Sequence, residues 1–236
     1  MLVFCFLTYH DIQPISHWNH FFQNIDHNEF KVIIHPKLQI NSSIYSFPIQ
    51  CVQKRILTIS KSHISIVNAT LQLLREAYKV TENENDTHFI FCSQHCIPLY
   101  PFTFYKNFLQ TCSKSIVSYI PRNKKERYFQ LHPNCKKFIS YSQFGKQQPN
   151  MILSKVDVKL LIDNDLTIYF KNIECPDEHY FINILRFILK KDIIISQTHF
   201  CNFDLTKTQA LTFNNINESM LKKIKNLGFL FMRKVT

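Results

Sequence analysis

The chain has 236 residues, with 28 Lys and Arg against 17 Asp and Glu, and so a formal net charge of +11. With 45% hydrophobic and 14% aromatic residues it has the material for a large core, which excludes wholesale disorder. No apolar run reaches the roughly 18 residues a membrane-spanning helix needs, and with 2 glycines neither a Walker A loop nor a GxGxxG fingerprint can be built.

Strand and helix patterns alternate along the sequence. Leu2 to Leu7 is a continuous apolar run, as expected of a strand buried on both faces. It is too short for the apolar region of a signal peptide and no basic residue precedes it, so cytoplasmic residence and reduced cysteines are expected. Ser16 is placed to cap a helix carrying Trp18, Phe21 and Phe22. A second strand, Phe30 to Ile34, is closed by His35-Pro36-Lys37. The clearest amphipathic helix runs from Ile64 to Tyr78: Ile66, Ala69, Thr70, Leu73, Leu74 and Ala77 share one face, and Asn68, Gln72, Arg75 and Glu76 the other. His88 to Cys92 is another buried strand, followed by a turn at Cys96 to Leu99. Arg122 to Arg127 is basic and polar and is expected to be a long surface loop. Beyond it come Met151 to Leu153, a helix from about Lys155 to Ile162, and a helix opened by Pro176 with an apolar stripe of Tyr180, Phe181, Ile184, Leu185 and Ile188. Short strands at Ile193 to Ile195 and Phe229 to Met232 close the chain. The alternation predicts one α/β domain over residues 1–236 with a mainly parallel central sheet.

Four segments carry candidate chemistry. In Cys175-Pro176-Asp177-Glu178-His179, Pro suits the first helical position and the carboxylates offset the helix dipole. A carboxylate at such a helix mouth also suits a general base, with His179 nearby. Arg233 and Lys234 are adjacent cations on a strand, so they point to opposite faces and one of them readily reaches a given pocket. Asp163-Asn164-Asp165 after an apolar run resembles a metal-ligand pattern for Mg²⁺ or Mn²⁺, but reads better as a helix-ending turn. Cys92-Ser93-Gln94-His95-Cys96 is the tightest of the cysteine clusters, but no second pair lies at zinc-finger spacing. The basic patch Arg122, Lys124, Lys125 and Arg127 supplies non-specific phosphate contacts at most, and no nucleic-acid motif accompanies it.

Taken in order, the segments Cys5 to Tyr9, Ile33 to Lys37, Ile64 to Ala77, His88 to Tyr100 and Cys175 to Phe181 resemble the core-2/I-branching β-1,6-N-acetylglucosaminyltransferase family, which includes peptide O-xylosyltransferases. Lys146, Met151 to Ser154 and Leu230 to Lys234 add to the likeness, which covers nearly the whole chain. The resemblance implies a GT-A-like, Rossmann-like nucleotide-sugar fold. It also implies transfer with inversion from a UDP-sugar, most readily UDP-N-acetylglucosamine, to a hydroxyl of a glycan or protein acceptor, without a metal or other cofactor. It makes Glu178 the catalytic base and sets Lys234, with Arg233, on the diphosphate. It puts His35 near the uridine, with Thr8, Asp177 and His179 as further substrate-binding positions. Where family members carry Trp-Gly, Ser-Gln-Trp and a late Trp, this chain has Lys61-Ser62, Gln148-Pro149-Asn150 and Phe203. The alternative is therefore a catalytically inactive relative that binds glycans or nucleotides.

Overall fold

Leu2, Phe4 and Phe6 turn to one side of the first strand and Val3 and Cys5 to the other, and all five are buried. That is what a period-two chain covered on both faces requires. The structure is a computed structural model describing residues 1–60, 62–121, 125–203 and 210–236. Lys61, Arg122 and Lys124, named above, lie outside the described residues. In chain order the strands are β1 (Leu2–Thr8), β2 (Phe30–Pro36), β3 (Gln50–Cys51), β4 (His88–Ser93), β5 (Ile97–Pro98), β6 (Ile116–Val117), β7 (Ile152–Ser154), β8 (Ile194–Ile195), β9 (His199–Cys201) and β10 (Phe231–Arg233). The α-helices are α1 (Ile15–Phe21), α2 (Ser65–Lys79), α3 (Phe102–Gln110), α4 (Lys125–Gln130), α5 (Pro133–Lys136), α6 (Lys155–Asp163), α7 (Thr167–Phe170), α8 (Tyr180–Asn183) and α9 (Glu218–Asn226).

Seven strands form one sheet in the order β3-β2-β1-β4-β7-β6-β8. The block β3 to β4 is parallel, β7 runs antiparallel to both its neighbours, and β6 pairs with β8 in parallel. This is the expected mainly parallel α/β sheet. A small second sheet, β5-β10-β9, ties the end of the chain to the segment after β4. On one face, α1 and α3 bring Trp18, Phe21, Phe22 and Phe102 against Leu2, Phe4 and Phe6. Trp18 meets Phe6 edge-on at 4.9 Å, and its Nε1 donates to the Cys96 carbonyl at 2.8 Å, so the ring is both packed and satisfied. On the other face, Val67, Leu71 and Leu74 of α2 cover Val3 and Cys5 with help from Leu161 and Ile182. Each such large side chain, once buried, contributes about 1.5–3 kcal/mol.

Several local expectations give way to packing. Pro14, not Ser16, stands at the N-cap of α1, and no side chain caps that helix. Glu76, expected on the solvated face of α2, is buried, where Gln72 Nε2 donates to its Oε1 at 3.0 Å. Residues 125–127, in the segment expected to be loop, begin α4, and Arg127 is buried within the protein. The helix expected from Pro176 is instead a single 3₁₀ turn (Pro176–Glu178), then α8, then a π-helical turn (Ile184–Ile188), though Tyr180, Phe181, Ile184 and Leu185 are buried as predicted.

For function the central consequence is the position of β1. It is flanked in parallel by β2 on one side and β4 on the other, so the strand order reverses there. A crevice opens beyond the carboxyl ends of strands at such a point.

Candidate functional site

Two hollows adjoin at those carboxyl ends and share Leu7 and Ile66. The first, about 280 Å³, is lined by Thr8, Tyr9, His35 and Lys37 together with Thr58 to Ser60. The second, about 250 Å³, is lined by Ser93, Asn150, Asp177, Phe181 and Arg233, among others. Among the described residues, six buried side-chain polar atoms lack a hydrogen-bond partner, and four of these belong to residues of the two hollows: Thr8 Oγ1, His35 Nδ1, Asp177 Oδ1 and Arg233 Nε. Each unsatisfied group costs about 1–3 kcal/mol, so four in one crevice mark a place where a polar ligand supplies what the protein does not. The larger hollow between α1, α3 and α9, about 830 Å³, holds none of them.

His35 ends β2 with its Nε2 accepting the Ile56 amide at 2.9 Å. Burial lowers its pKa, so the ring is neutral and carries its proton on Nδ1, a donor beside the first hollow. Thr8 is the last residue of β1 and lines the same hollow.

The turn at Cys175 separates two adjacent acids. Cys175 has φ +52° and ψ 60°, a left-handed conformation that costs an L-residue roughly 1–2 kcal/mol. Pro176 then opens the 3₁₀ turn. Asp177 lines the second hollow, with one carboxylate oxygen shut off from solvent and unpartnered. Burial, then the neighbouring Glu178 charge, raises its pKa to about 6, against the opposing pull of the Asp177 and Glu178 amides and Lys146. Glu178 lines neither hollow. Its Oε2 lies 3.1 Å from Arg127 Nη1 and 3.0 Å from Lys146 Nζ. Arg127 also reaches Glu174 at 3.4 Å and donates from Nη1 to His179 Nε2 at 3.3 Å.

His179 is fully buried, stacked on Phe144 at 4.7 Å, with Nδ1 donating to the Gly145 carbonyl at 2.8 Å. Burial lowers its pKa to about 4. It stays neutral near pH 7 and acts on the site by holding Arg127. At the other end, Arg233 lines the second hollow, and its Nη1 donates to Asn150 Oδ1 at 2.9 Å. Lys234 lines neither hollow; its carbonyl accepts the Phe213 amide, and its charge bears on His95 and Cys201. Arg233, the last residue of β10, thus reaches the crevice, and Lys234, beyond the strand, does not line it.

The Asp163 and Asp165 carboxylates are each engaged elsewhere. Asp163 pairs with Lys159 at 2.5 Å, while Asp165 pairs with Arg75 at 2.7 Å and bonds Thr167. Among the described residues, no group of three or more His, Cys, Asp or Glu side chains is arranged to hold a metal ion. Cys92 and Cys96 are both buried, with Cys96 Sγ 3.1 Å from Ser93 Oγ. Arg127 and Asn150 are the site residues that sequence reasoning placed elsewhere. Arg127 was expected in a solvated basic loop, and the Asn150 segment stood out as a replacement for a family tryptophan.

The model of the Core-2/I-branching enzyme family matches residues 2–227. The chain belongs to this family. No curated protein gives a significant match. Among solved structures, the chain is similar to the WbbM bifunctional glycosyltransferase in its apo form (9% identity, 98% of this chain and 45% of that one, TM-score 0.49). It is also similar to S. aureus TarS (10% identity, 70% of this chain and 30% of that one, TM-score 0.36). A third likeness is to a glucose-1-phosphate thymidylyltransferase from Bacillus anthracis in complex with a sucrose (9% identity, 83% and 85% covered, TM-score 0.39). The chain therefore spans less than half the length of WbbM and TarS. Among the described residues no helix is long and apolar enough to cross a membrane.

Proposed function

We propose that residues 1–236 act as an inverting glycosyltransferase that moves a sugar, N-acetylglucosamine in the first instance, from a UDP-sugar to an acceptor hydroxyl without a metal. The observation that carries this reading is the set of four unpartnered polar atoms at the strand-order reversal of a family member. His35 Nδ1–H and Thr8 Oγ1 are donors suited to the nucleoside, and Arg233 is a cation suited to the diphosphate. Lys234, the residue after β10, adds positive potential to the departing UDP. One cation about 4 Å from a phosphate charge is worth on the order of 4 kcal/mol at an effective dielectric near 20. In the transfer, the acceptor oxygen attacks the anomeric carbon from the face opposite the leaving diphosphate. Glu178 takes the acceptor proton as the new C–O bond forms and the bond to UDP breaks. Arg127 and Lys146, at 3.1 Å and 3.0 Å, fix the direction of the Glu178 side chain, and a positioned base contributes roughly 10²–10⁴-fold.

Glu178→Gln is expected to abolish transfer while UDP still binds, and activity should persist in excess chelator. Full activity in Glu178→Gln removes the assignment of the base. A second reading, an inactive relative that binds nucleotide, is favoured by the two ion pairs that occupy Glu178. Measurable turnover of any UDP-sugar excludes it.

A further inference from the structure

Asp177 is the feature that the reaction above leaves unused. It is an acid with a shielded, unpartnered oxygen in a hollow also lined by Arg233, whose Nε is unpartnered. We infer that Asp177 is a specificity-determining residue for the donor: its free carboxylate oxygen accepts a hydrogen bond from a hydroxyl of the transferred sugar ring. The inference rests on the nucleotide-sugar reading.

Three physical points assign the sugar, and not another part of the donor, to this hollow. A carboxylate repels a diphosphate, so the group facing Asp177 must be uncharged and a hydrogen-bond donor. Arg233, in the lining of the same hollow, supplies the matching cation for the phosphate that leads into it. Uracil also offers an N–H donor, but His35 Nδ1 and Thr8 Oγ1, the unpartnered groups of the adjoining hollow, suit the nucleoside, which leaves the sugar for the hollow of Asp177. The rest of the lining agrees. Leu7, Ile66 and Phe181 give an apolar floor for the C–H face of a pyranose, and Asn150 and Thr70 give polar edges. The adjoining hollow, with His35, Thr8 and Tyr9, is left for the nucleoside.

A site built to bond a hydroxyl rejects an analogue that lacks or misplaces it far more strongly than an apolar pocket does. The test is calorimetric Kd for UDP, UDP-N-acetylglucosamine, its C4 epimer, UDP-glucose and UDP-xylose, with wild type, Asp177→Ala and Asp177→Asn. Wild type is expected to prefer one UDP-sugar over its nearest analogue by about tenfold or more. Asp177→Ala is expected to compress that ratio to within about threefold while the Kd for UDP itself moves less than about twofold. Asp177→Asn keeps the shape and one acceptor oxygen, so it carries the test if the alanine variant fails to fold, and its donor ranking should change with UDP affinity intact. An unchanged ranking in the folded variants overturns the inference and leaves the nucleotide-sugar reading standing. So does an equal loss of donor hydrolysis for every sugar at unchanged Kd, because Asp177 then acts in proton transfer. Wild type that binds no UDP removes both the inference and the reading beneath it.

Discussion

Replacing Arg127 with Met tests the cluster that aims the proposed base. The guanidinium is 8% exposed and has three partners: Glu178 at 3.1 Å, Glu174 at 3.4 Å and His179 at 3.3 Å. Glu174 is 53% exposed, so that pair contributes at most about 1 kcal/mol. The bond to Glu178, whose side chain is 24% exposed, is a charged hydrogen bond worth about 1.5–3 kcal/mol. The expected loss is about 3 kcal/mol, the lower edge of what breaking a buried pair costs, because Lys146 at 3.0 Å still neutralises Glu178. Urea unfolding of wild type, Arg127→Met, Glu178→Gln and the double variant closes a cycle. The double variant should be more stable than the two losses summed by about 1–2 kcal/mol. Losses that add to within about 0.5 kcal/mol refute a direct Arg127–Glu178 contact.

The remaining expectations concern pH and packing. Asp177 has a folded-state pKa of about 6, above the ordinary carboxylate value, so between pH 4 and pH 6 the native state binds more protons than the unfolded chain. Its contribution to stability therefore falls as pH rises through that window, and Asp177→Asn should be more stable than wild type at pH 7.5 by about 1–2 kcal/mol. The difference should vanish near pH 4; a constant difference across the window sinks the account. His179, lowered to about 4, works with the opposite sign. Its contribution is lost as pH falls from about 6.5 toward 4, so wild type alone shows a flattened profile and the variant difference is the informative quantity. Gly145→Ala would set a Cβ 2.0 Å from the Tyr119 ring. The ring also lies under Arg186 at 4.4 Å, so it must be displaced from a made contact. A loss of about 1–3 kcal/mol is expected, and an unchanged thermal midpoint would show that the loop yields freely.

The central strands were legible because their sequences leave few options. An apolar run such as Leu2 to Leu7 or His88 to Cys92 has to be covered on two sides, and the α2 pattern supplies one of the covers. The 3.6-residue period still misplaced Glu76, since it describes one cylinder and not the neighbours that close over it. Arg127 was misread for a related reason. Among Lys125, Glu126 and Arg127, composition gives solvated charge, and what buries the third residue is Glu178, fifty-one positions later. No local signal carries a partner at that separation.

The adjacent acids show the same limit within a single turn. Sequence placed Asp177 and Glu178 together at the mouth of a helix, where both would oppose its dipole. The left-handed Cys175 and the 3₁₀ turn send them different ways, one carboxylate into a hollow without a partner and the other between two cations. Two acids held apart by environment can take separate tasks on one substrate. In the proposed reaction the paired Glu178 takes the acceptor's proton, and the unpartnered Asp177 oxygen accepts from the sugar. Arg233 and Lys234 divide in a similar manner: the strand expected to carry both ends at Arg233, which lines the hollow, and Lys234 lies beyond it.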